Sequence, residues 1–237
     1  MLCGLAAPLL AGAAAHAVPA LARPAVAAGV LRRVGGAGRS GGVALTFDDG
    51  PDPDGTPAVL AALQALGWRA TFFLLGSQVD AHPALARRVH EEGHELAVHG
   101  WSHRNHLGLT PRAAGADLAA ACASIHAAVP GARLRWYRPP FGVLTTGSLR
   151  AGHRLGLRPV LWSAWGRDWL PGDGPGVART VLAGLRDGGT VLLHDSDCTS
   201  TAGSWRATAA ALPLLAGPLR TRGLQVRPLV EHLVPSP

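Results

Sequence analysis

The strongest constraint on the fold is an alternation that begins at residue 43, where short β-rich runs are separated by longer segments with apolar residues at helical spacing. The seven predicted strands are VALTF (43–47), ATFFLL (70–75), ELAVH (95–99), LRWYR (134–138), PVLWS (159–163), TVLLH (190–194) and LQVRPL (224–229). The predicted helices lie between them, at 56–67, 82–92, 111–128, 146–155, 176–186 and 204–216. This alternation indicates a parallel sheet wrapped by helices.

We therefore predict an α/β fold with a single domain: an incomplete or distorted β/α barrel of about seven parallel strands wrapped by helices. A doubly wound open sheet is the alternative, but no Gly-rich phosphate loop follows the first predicted strand. The chain has 237 residues and 48% hydrophobic content, which is enough for one large domain with a well-filled core. We assign that domain to residues 41–237.

The first forty residues form a different kind of segment, because residues 1–22 are nearly all small or apolar. Such a run resembles the core of a signal peptide, with small-residue cleavage sites at 15–17 or 20–22. No basic residue precedes the run, and two prolines interrupt it as a bilayer span. We expect residues 1–40 to be a signal-like or anchor segment with a linker. The protein would then be secreted or at the bacterial cell surface, with membrane contact only through this segment.

The formal net charge is +7, and every basic residue is an arginine. These arginines are scattered singly or in pairs, without the clustering and interleaved aromatic residues of a nucleic-acid site, so we predict no nucleic-acid partner. Outside the first segment the cysteines are Cys122 and Cys198, whose separation fits no metal-binding spacing. A disulfide and two free thiols are equally compatible with this pattern.

Polar and charged residues gather where the predicted strands end. They come from the first, third, fourth, fifth and sixth strands, as Asp48 and Asp49, His99 and His103, Arg138, Asp168 and His194, respectively. In a β/α barrel the carboxyl ends of the strands form one rim, and active sites are built there. We therefore expect these side chains to meet at one mouth of the barrel.

The histidine cluster 99-HGWSHRNH-106 is compatible with metal binding. His99 and His103 are four residues apart, and His103 and His106 are three apart, so either pair could share one face of a helical turn. Two histidines with a carboxylate from the first strand make a three-ligand shell with a position open for water. A cation in such a shell suits hydrolysis at neutral pH.

The adjacent carboxylates in 46-TFDDGPDP-53 can then have separate roles. Side chains of successive residues diverge at a strand end, so one aspartate can face the cation while its neighbour accepts a proton from water as a general base. The alternative interpretation is an Asp-Gly-Pro turn without a chemical role.

Five motifs in order carry a resemblance to a known family. They are TFDDGP at 46–51, the histidine motif at 99–103, RPPFG at 138–142, WSAWGRDW at 162–169 and LLHD at 192–195. With these motifs the chain resembles the polysaccharide deacetylases, also called carbohydrate esterase family 4 or the NodB homology domain, from about residue 43 to about residue 229.

The resemblance implies a role for each motif residue. It implies a catalytic group consisting of the base Asp48, the acid His194, the arginine Arg138 that orients the base, and the supporting Asp168. It implies three metal ligands, Asp49, His99 and His103, which leaves His106 as a neighbour. It implies substrate contacts from the backbone N–H of Phe141, the Trp169 wall and an acetyl pocket lined by Leu193.

The function implied is metal-dependent hydrolysis of N-acetyl groups on an amino-sugar polysaccharide or oligosaccharide, peptidoglycan or chitin-like. The implied cofactor is a divalent metal, Zn²⁺ first, with Co²⁺, Ni²⁺ or Mn²⁺ as alternatives, and the partner is the N-acetylated glycan. The other candidates are an O-acetyl esterase, an amidase on a small non-sugar substrate, and a catalytically silent glycan-binding domain. The oligomeric state is left open.

Two positions depart from the family pattern. Gly100 stands where a Ser or Thr is usual, which predicts the loss of a hydrogen bond that stabilises the loop. Phe141 stands where Tyr is usual. Neither change removes a proposed catalytic group, so we expect activity. Trp165 and Arg167 add aromatic and cationic groups that we expect along a sugar groove.

Overall fold

Parallel strands form one sheet in the computed structural model, which describes residues 34–233. The strands are β1 (Gly42–Asp48), β2 (Thr71–Leu74), β3 (Glu95–Val98), β4 (Trp136–Tyr137), β5 (Arg158–Pro159), β6 (Ala164–Trp165), β7 (Thr190–His194) and β8 (Gln225–Arg227). Their order is β5-β4-β3-β2-β1-β7-β6, and β8 pairs with the start of β1. The signal-like segment predicted at 1–22 lies outside the described residues.

The two ends of this order explain why the barrel is incomplete. β5 pairs with β4 at one edge, and β6 pairs with β7 at the other, yet only residues 160–163 separate β5 from β6 in the chain. The main-chain hydrogen bonds of this link go to opposite edges of the sheet. The Val160 N–H donates to the Tyr137 carbonyl of β4, whereas the Ser163 N–H donates to the Thr190 carbonyl of β7. The incomplete, distorted barrel is confirmed, but the strand predicted at 159–163 is two short strands on opposite edges.

Helices cover the outside of the sheet. They are α1 (Gly55–Leu66), α2 (Gly76–Ala81), α3 (Pro83–Glu91), α4 (Pro111–Ala128), α5 (Thr146–Arg154), α6 (Gly174–Gly184), α7 (Trp205–Thr221) and α8 (Leu229–Leu233). Short 3₁₀ helices occur at His106–Gly108 and Pro140–Gly142. Each helix in this part of the chain is too short or too polar to span a bilayer.

Local signals explain several helix starts. The Thr110 hydroxyl accepts from the Ala113 N–H ahead of Pro111 at the first turn of α4. Thr145 and Ser148 form a reciprocal capping box at α5. The predictions missed α2 and α8, which are short, and ended α7 too early. That helix continues through Pro213 and Pro218 because its buried leucines keep packing on the core.

Side-chain alternation along the strands separates two apolar layers. Val43, Leu45 and Phe47 of β1 belong to the large cluster that also contains the buried residues of the helices. Ala44 of β1 and Phe73 of β2 belong to a small inner cluster. Because side chains two residues apart share a face, the inner face of β1 runs upward from Ala44 to Thr46 and Asp48. The strand thereby delivers a carboxylate to the rim of the barrel.

Candidate active site

A cleft of about 310 Å³ opens at the carboxyl ends of the strands. Its lining residues are Asp48, Asp49, His99, His103, Phe141, Gly142, Trp162, Trp165, Trp169, Leu192, His194 and Thr199. Asp48 is the last residue of β1 and His194 the last of β7, while His99 follows β3 directly. The structure therefore brings together side chains from strand ends that are far apart in the sequence, at the rim where β/α barrels place their active sites.

Three potential metal ligands converge in this cleft. The carboxylate of Asp49 and the imidazoles of His99 and His103 offer ligand atoms that all lie within 4.8 Å of one another. Asp49 Oδ1 is 3.3 Å from His99 Nε2 and 3.4 Å from His103 Nε2. This oxygen is buried and has no hydrogen-bond partner in the described part of the chain. An orphaned carboxylate oxygen facing two imidazole nitrogens fits a divalent cation.

Two of these residues have strained backbone conformations, a feature that is common at functional sites. Asp49 has φ 78° and His103 has φ 50°, in the left-handed region that non-glycine residues rarely adopt. The ring of His99 is oriented from behind, because its Nδ1 lies 2.8 Å from the Arg138 carbonyl oxygen. Such a contact leaves Nε2 directed at the cluster and is the usual support of a metal-binding imidazole.

The alternative ligand pair, His103 with His106, does not form. His106 is fully buried away from the cleft, with Nε2 3.5 Å from Asp117 Oδ2 on α4. Spacing alone left both pairs open, and the fold separates them because the chain enters a 3₁₀ helix at His106.

The surroundings of Asp49 and His103 favour the deprotonated forms of these side chains, which are the forms that bind cations. Burial opposes the charge of Asp49, but the interaction with the nearby His99 outweighs it and holds the pKa of that carboxyl well below its usual range. Burial and the nearby His99 lower the pKa of His103 to about 4. Burial alone would lower the pKa of His99, but Asp48 and Asp49 raise it, so cation binding at this ring would release its proton.

Asp48 forms a buried pair with Arg138. Arg138 Nη1 donates to Asp48 Oδ1 over 2.6 Å and also contacts Thr46 Oγ1 at 2.9 Å. The rest of the guanidinium donates to the carbonyl oxygens of Val160 and Leu161. With no exposed surface, Arg138 is held in one orientation and fixes one oxygen of Asp48.

The buried Asp168 and the partly exposed His194 form a second pair on the other side of the cleft. Asp168 Oδ1 is 3.0 Å from His194 Nδ1, and Oδ2 accepts from the His194 N–H at 2.7 Å and from Thr208 Oγ1 at 2.6 Å. Burial alone would lower the pKa of His194, but Asp168 outweighs it and raises the pKa to about 9. Because Nδ1 is engaged by Asp168, the ring can present a proton from Nε2 to the cleft at neutral pH.

Aromatic rings wall the cleft. Phe141 is 54% exposed, and the centre of its ring lies 4.7 Å from that of the His103 ring. Trp169 meets the His194 ring edge-on at 5.5 Å and the Trp165 ring at 5.4 Å. The Arg167 guanidinium lies 4.9 Å from the centre of the Trp165 ring. The expected aromatic and cationic groups are therefore along the cleft.

The expectation that Leu193 lines the acetyl pocket is not met. Leu193 has no exposed surface and belongs to the large core cluster, whereas Leu192 lines the cleft. The reason is strand alternation: His194 faces the cleft, so the residue two positions before it shares that face and the adjacent one does not. This period-two rule was available from the sequence.

Two polar residues of the site were missed. Thr199 donates from Oγ1 to Asp49 Oδ2 over 2.5 Å. Asp117 of α4 accepts from the Trp101 N–H at 2.9 Å and from Ser102 Oγ at 3.1 Å. These hydrogen bonds stabilise the histidine loop, which we expected to be less stable because Gly100 lacks a hydroxyl. Gly100 has φ 88°, and a Cβ there would meet Asp117 Oδ2. No sequence signal marks either residue, because each acts across a long stretch of chain.

Both described cysteines, Cys122 and Cys198, are free thiols. Burial raises the pKa of each to about 11, so neither is a thiolate at neutral pH.

Comparison with known proteins places this arrangement among carbohydrate-modifying enzymes. The sequence model of the family described as polysaccharide deacetylase matches residues 35–160. The chain is 38% identical over 212 residues to a chitooligosaccharide deacetylase of Bradyrhizobium sp. (strain ANU 289), covering 85% of this chain and 95% of that protein. It is 33% identical over 183 residues to the peptidoglycan-N-acetylglucosamine deacetylase PgdA of Listeria monocytogenes, covering 77% of this chain and 37% of that protein.

Solved structures agree on the fold. The Bc1960 peptidoglycan N-acetylglucosamine deacetylase superposes with a TM-score of 0.77 at 27% sequence identity, over 84% of this chain and 92% of that one.

Proposed function

The chain belongs to the polysaccharide deacetylase family, and from this premise we propose that it is a metal-dependent hydrolase that removes N-acetyl groups from an amino-sugar oligosaccharide or polysaccharide. The observation that carries the proposal is the orphaned Oδ1 of Asp49 between two imidazoles. It lies in one cleft with an Asp–Arg pair and an Asp–His pair. Such a cleft has separate places for a cation, a base and an acid.

Asp49, His99 and His103 would hold the divalent cation. Zn²⁺ is our first candidate because two imidazoles and one carboxylate form a common catalytic zinc set, while Co²⁺, Ni²⁺ and Mn²⁺ accept the same donors. When bound, the cation supplies Lewis-acid chemistry: it polarises the acetamide carbonyl and lowers the pKa of water.

Asp48 acts as the general base. Arg138 engages its Oδ1, so Oδ2 is the oxygen available to accept a proton from the attacking water. This Oδ2 lies 3.6 Å from His99 Nε2, which places the base beside the cation ligands.

The tetrahedral intermediate needs a donor for its oxyanion and a proton for its leaving nitrogen. The backbone N–H of Phe141 supplies the donor, a role that does not depend on the identity of the side chain. His194 donates a proton from Nε2 to the departing amine, and Asp168 stabilises the imidazolium before that transfer. The products are acetate and a free amino sugar.

The acetyl group and the sugar pack against the apolar and aromatic side chains that line the cleft. We place the acetyl methyl against Leu192 and Trp169, with Leu192 taking the position first expected for Leu193. The rings of Phe141 and Trp165 offer flat apolar surface to the neighbouring sugars. We propose a chitin-like or peptidoglycan glycan as substrate from the named activities of the Bradyrhizobium and Listeria relatives. We propose action outside the cytoplasm from the peptidoglycan activity of the Listeria relative.

A substrate panel tests the proposal. We expect acetate from N-acetylglucosamine oligomers or peptidoglycan glycan strands and none from an O-acetylated sugar or a small non-sugar amide. The Asp48→Asn variant should bind the same metal and lose about 10²- to 10⁴-fold in turnover.

Acetate from the ester or the small amide alone would replace the proposal with an esterase or amidase function. Binding of the oligomers by metal-loaded protein without acetate release from any substrate would make the protein a silent glycan-binding domain.

A further inference from the structure

A threonine outside the family motifs holds the carboxylate that we assign to the cation. Thr199 lies in the loop between β7 and α7 and lines the cleft. Its hydroxyl donates to Asp49 Oδ2 over 2.5 Å. The two oxygens of Asp49 are thereby distinguished, since Oδ2 is occupied by the hydroxyl and Oδ1 faces the imidazoles without a partner. We propose that Thr199 is a positioning residue that presents Asp49 Oδ1 to the metal as a single, oriented ligand; this inference rests on the proposed metal site.

The same loop also holds the backbone of Asp49. Cys198 Sγ lies 3.7 Å from the Asp49 carbonyl oxygen and donates to it, so consecutive residues contact the main chain and the side chain of one aspartate. Asp49 needs this support because its φ of 78° lies in the left-handed region. Such a conformation is sparsely populated and persists where the surroundings over-determine it.

The loop is itself firmly tied. Asp197 Oδ2 accepts from the Gly203 N–H, and the Asp197 carbonyl accepts from the Ser200 N–H at 3.0 Å. The Thr201 N–H donates to the Trp169 carbonyl at 3.2 Å, which joins the loop to the aromatic wall of the cleft. Thr199 is therefore carried on a braced turn, so its hydroxyl can set the orientation of Asp49.

Groups that orient a ligand from outside are a general feature of metal sites, and their loss costs about 10- to 100-fold in metal affinity. Thr199 suits a clean test because it is solvent-exposed on its other side, so its substitution leaves the core unchanged. Valine has the shape of threonine and puts a methyl group at the position of the hydroxyl, which keeps water from replacing the lost donor. Alanine leaves room for water, and serine keeps the hydroxyl.

The test measures affinity for Zn²⁺ and Co²⁺ by competition with a chromophoric chelator, using the full chain after metal removal. We expect Thr199→Val to weaken the affinity about 10- to 100-fold, Thr199→Ala to weaken it less, and Thr199→Ser to stay near wild type. The matched control is Thr201→Val, the same change at an exposed threonine of the same loop, and it should leave the affinity unchanged. Thermal unfolding of each metal-free variant should match that of the wild type.

Equal metal affinity in wild type and Thr199→Val would overturn the inference while leaving the proposed function intact. A loss of affinity in Thr201→Val as large as in Thr199→Val would also overturn it, since the effect would then belong to the loop as a whole. A wild-type protein that binds neither metal would instead remove the proposed metal site, on which the inference rests.

Discussion

Single residues in this cleft are arranged in pairs, with one member facing the cleft and the other holding that member from behind. Arg138 shows why the second member matters. Its fork of donors reaches Asp48, Thr46 and two main-chain carbonyls at once. A lysine has a single charged nitrogen and could not make this set of contacts, so the two basic residues are not interchangeable here.

The pairing of His194 with Asp168 predicts a shift in the pH dependence of activity. A general acid must be protonated, so kcat/KM should fall as the pH rises through the pKa of His194. Asp168 is what raises that pKa against burial. In Asp168→Asn the alkaline limb of the pH profile should therefore move about one to three pH units lower. The measurement is kcat/KM for acetate release across the pH range, compared between the two proteins.

The control is Asp54→Asn, which changes an exposed carboxylate that makes no side-chain cap bond at the start of α1. Its pH profile should superpose on that of the wild type. An unchanged alkaline limb in a folded, active Asp168→Asn protein would remove His194 from the role of acid.

At the scale of elements, β7 carries its functional side chains on one face. Leu192 and His194 line the cleft, whereas Leu193 packs in the large core cluster with the helices. The two adjacent leucines should therefore respond differently to substitution. Leu192→Ala should enlarge the acetyl pocket and raise the preference for N-propionyl over N-acetyl substrates. Leu193→Ala should leave that preference unchanged and destabilise the protein by about 2–5 kcal/mol, as expected for a buried leucine.

The ratio of kcat/KM for the two acyl groups measures the first effect, and chemical denaturation measures the second. A changed ratio in Leu193→Ala with an unchanged ratio in Leu192→Ala would reverse this assignment of faces.

Sequence reasoning succeeded for elements whose signals are local. The bounds of α4 are as predicted, because Thr110 and Pro111 mark its start unambiguously. It failed where tertiary contacts decide. The run at 159–163 has the composition of one strand, but its ends bond to opposite edges of the sheet. Likewise α7 passes two prolines because its apolar face stays buried.

Prediction of the site had the same limit. The motif residues Asp48, Asp49, His99 and His103 lie together as expected, since the ends of parallel strands meet at one rim. Thr199 and Asp117 could not be found in this way, because an isolated threonine in a loop or an aspartate on a helix has no distinguishing pattern. Thr199, for example, lies 150 residues from Asp49 in the sequence, and only the fold brings the two together.

At the scale of the whole molecule, the order of the strands in the sheet brings residues that are distant in the sequence into one cleft. β1 is central in the strand order and pairs with β2, β7 and β8, so its end lies in the middle of the rim. The proposed base, Asp48, and the proposed cation ligand Asp49 come from this strand end. The proposed acid, His194, comes from β7 beside it, in register with Asp48. The cleft is therefore a property of the sheet order, which no single motif contains.

We propose that this cleft hydrolyses N-acetyl groups with the help of a cation held by Asp49, His99 and His103. The most direct measurement is acetate release from N-acetylglucosamine oligomers by the full chain, before chelation, after complete metal removal, and after Zn²⁺ or Co²⁺ is restored, with metal content determined at each stage. We predict release that disappears with the metal and returns with it, and an Asp49→Ala protein that neither retains metal nor regains activity. Undiminished release from the metal-free protein, or none from folded protein with one metal ion bound, would contradict this mechanism.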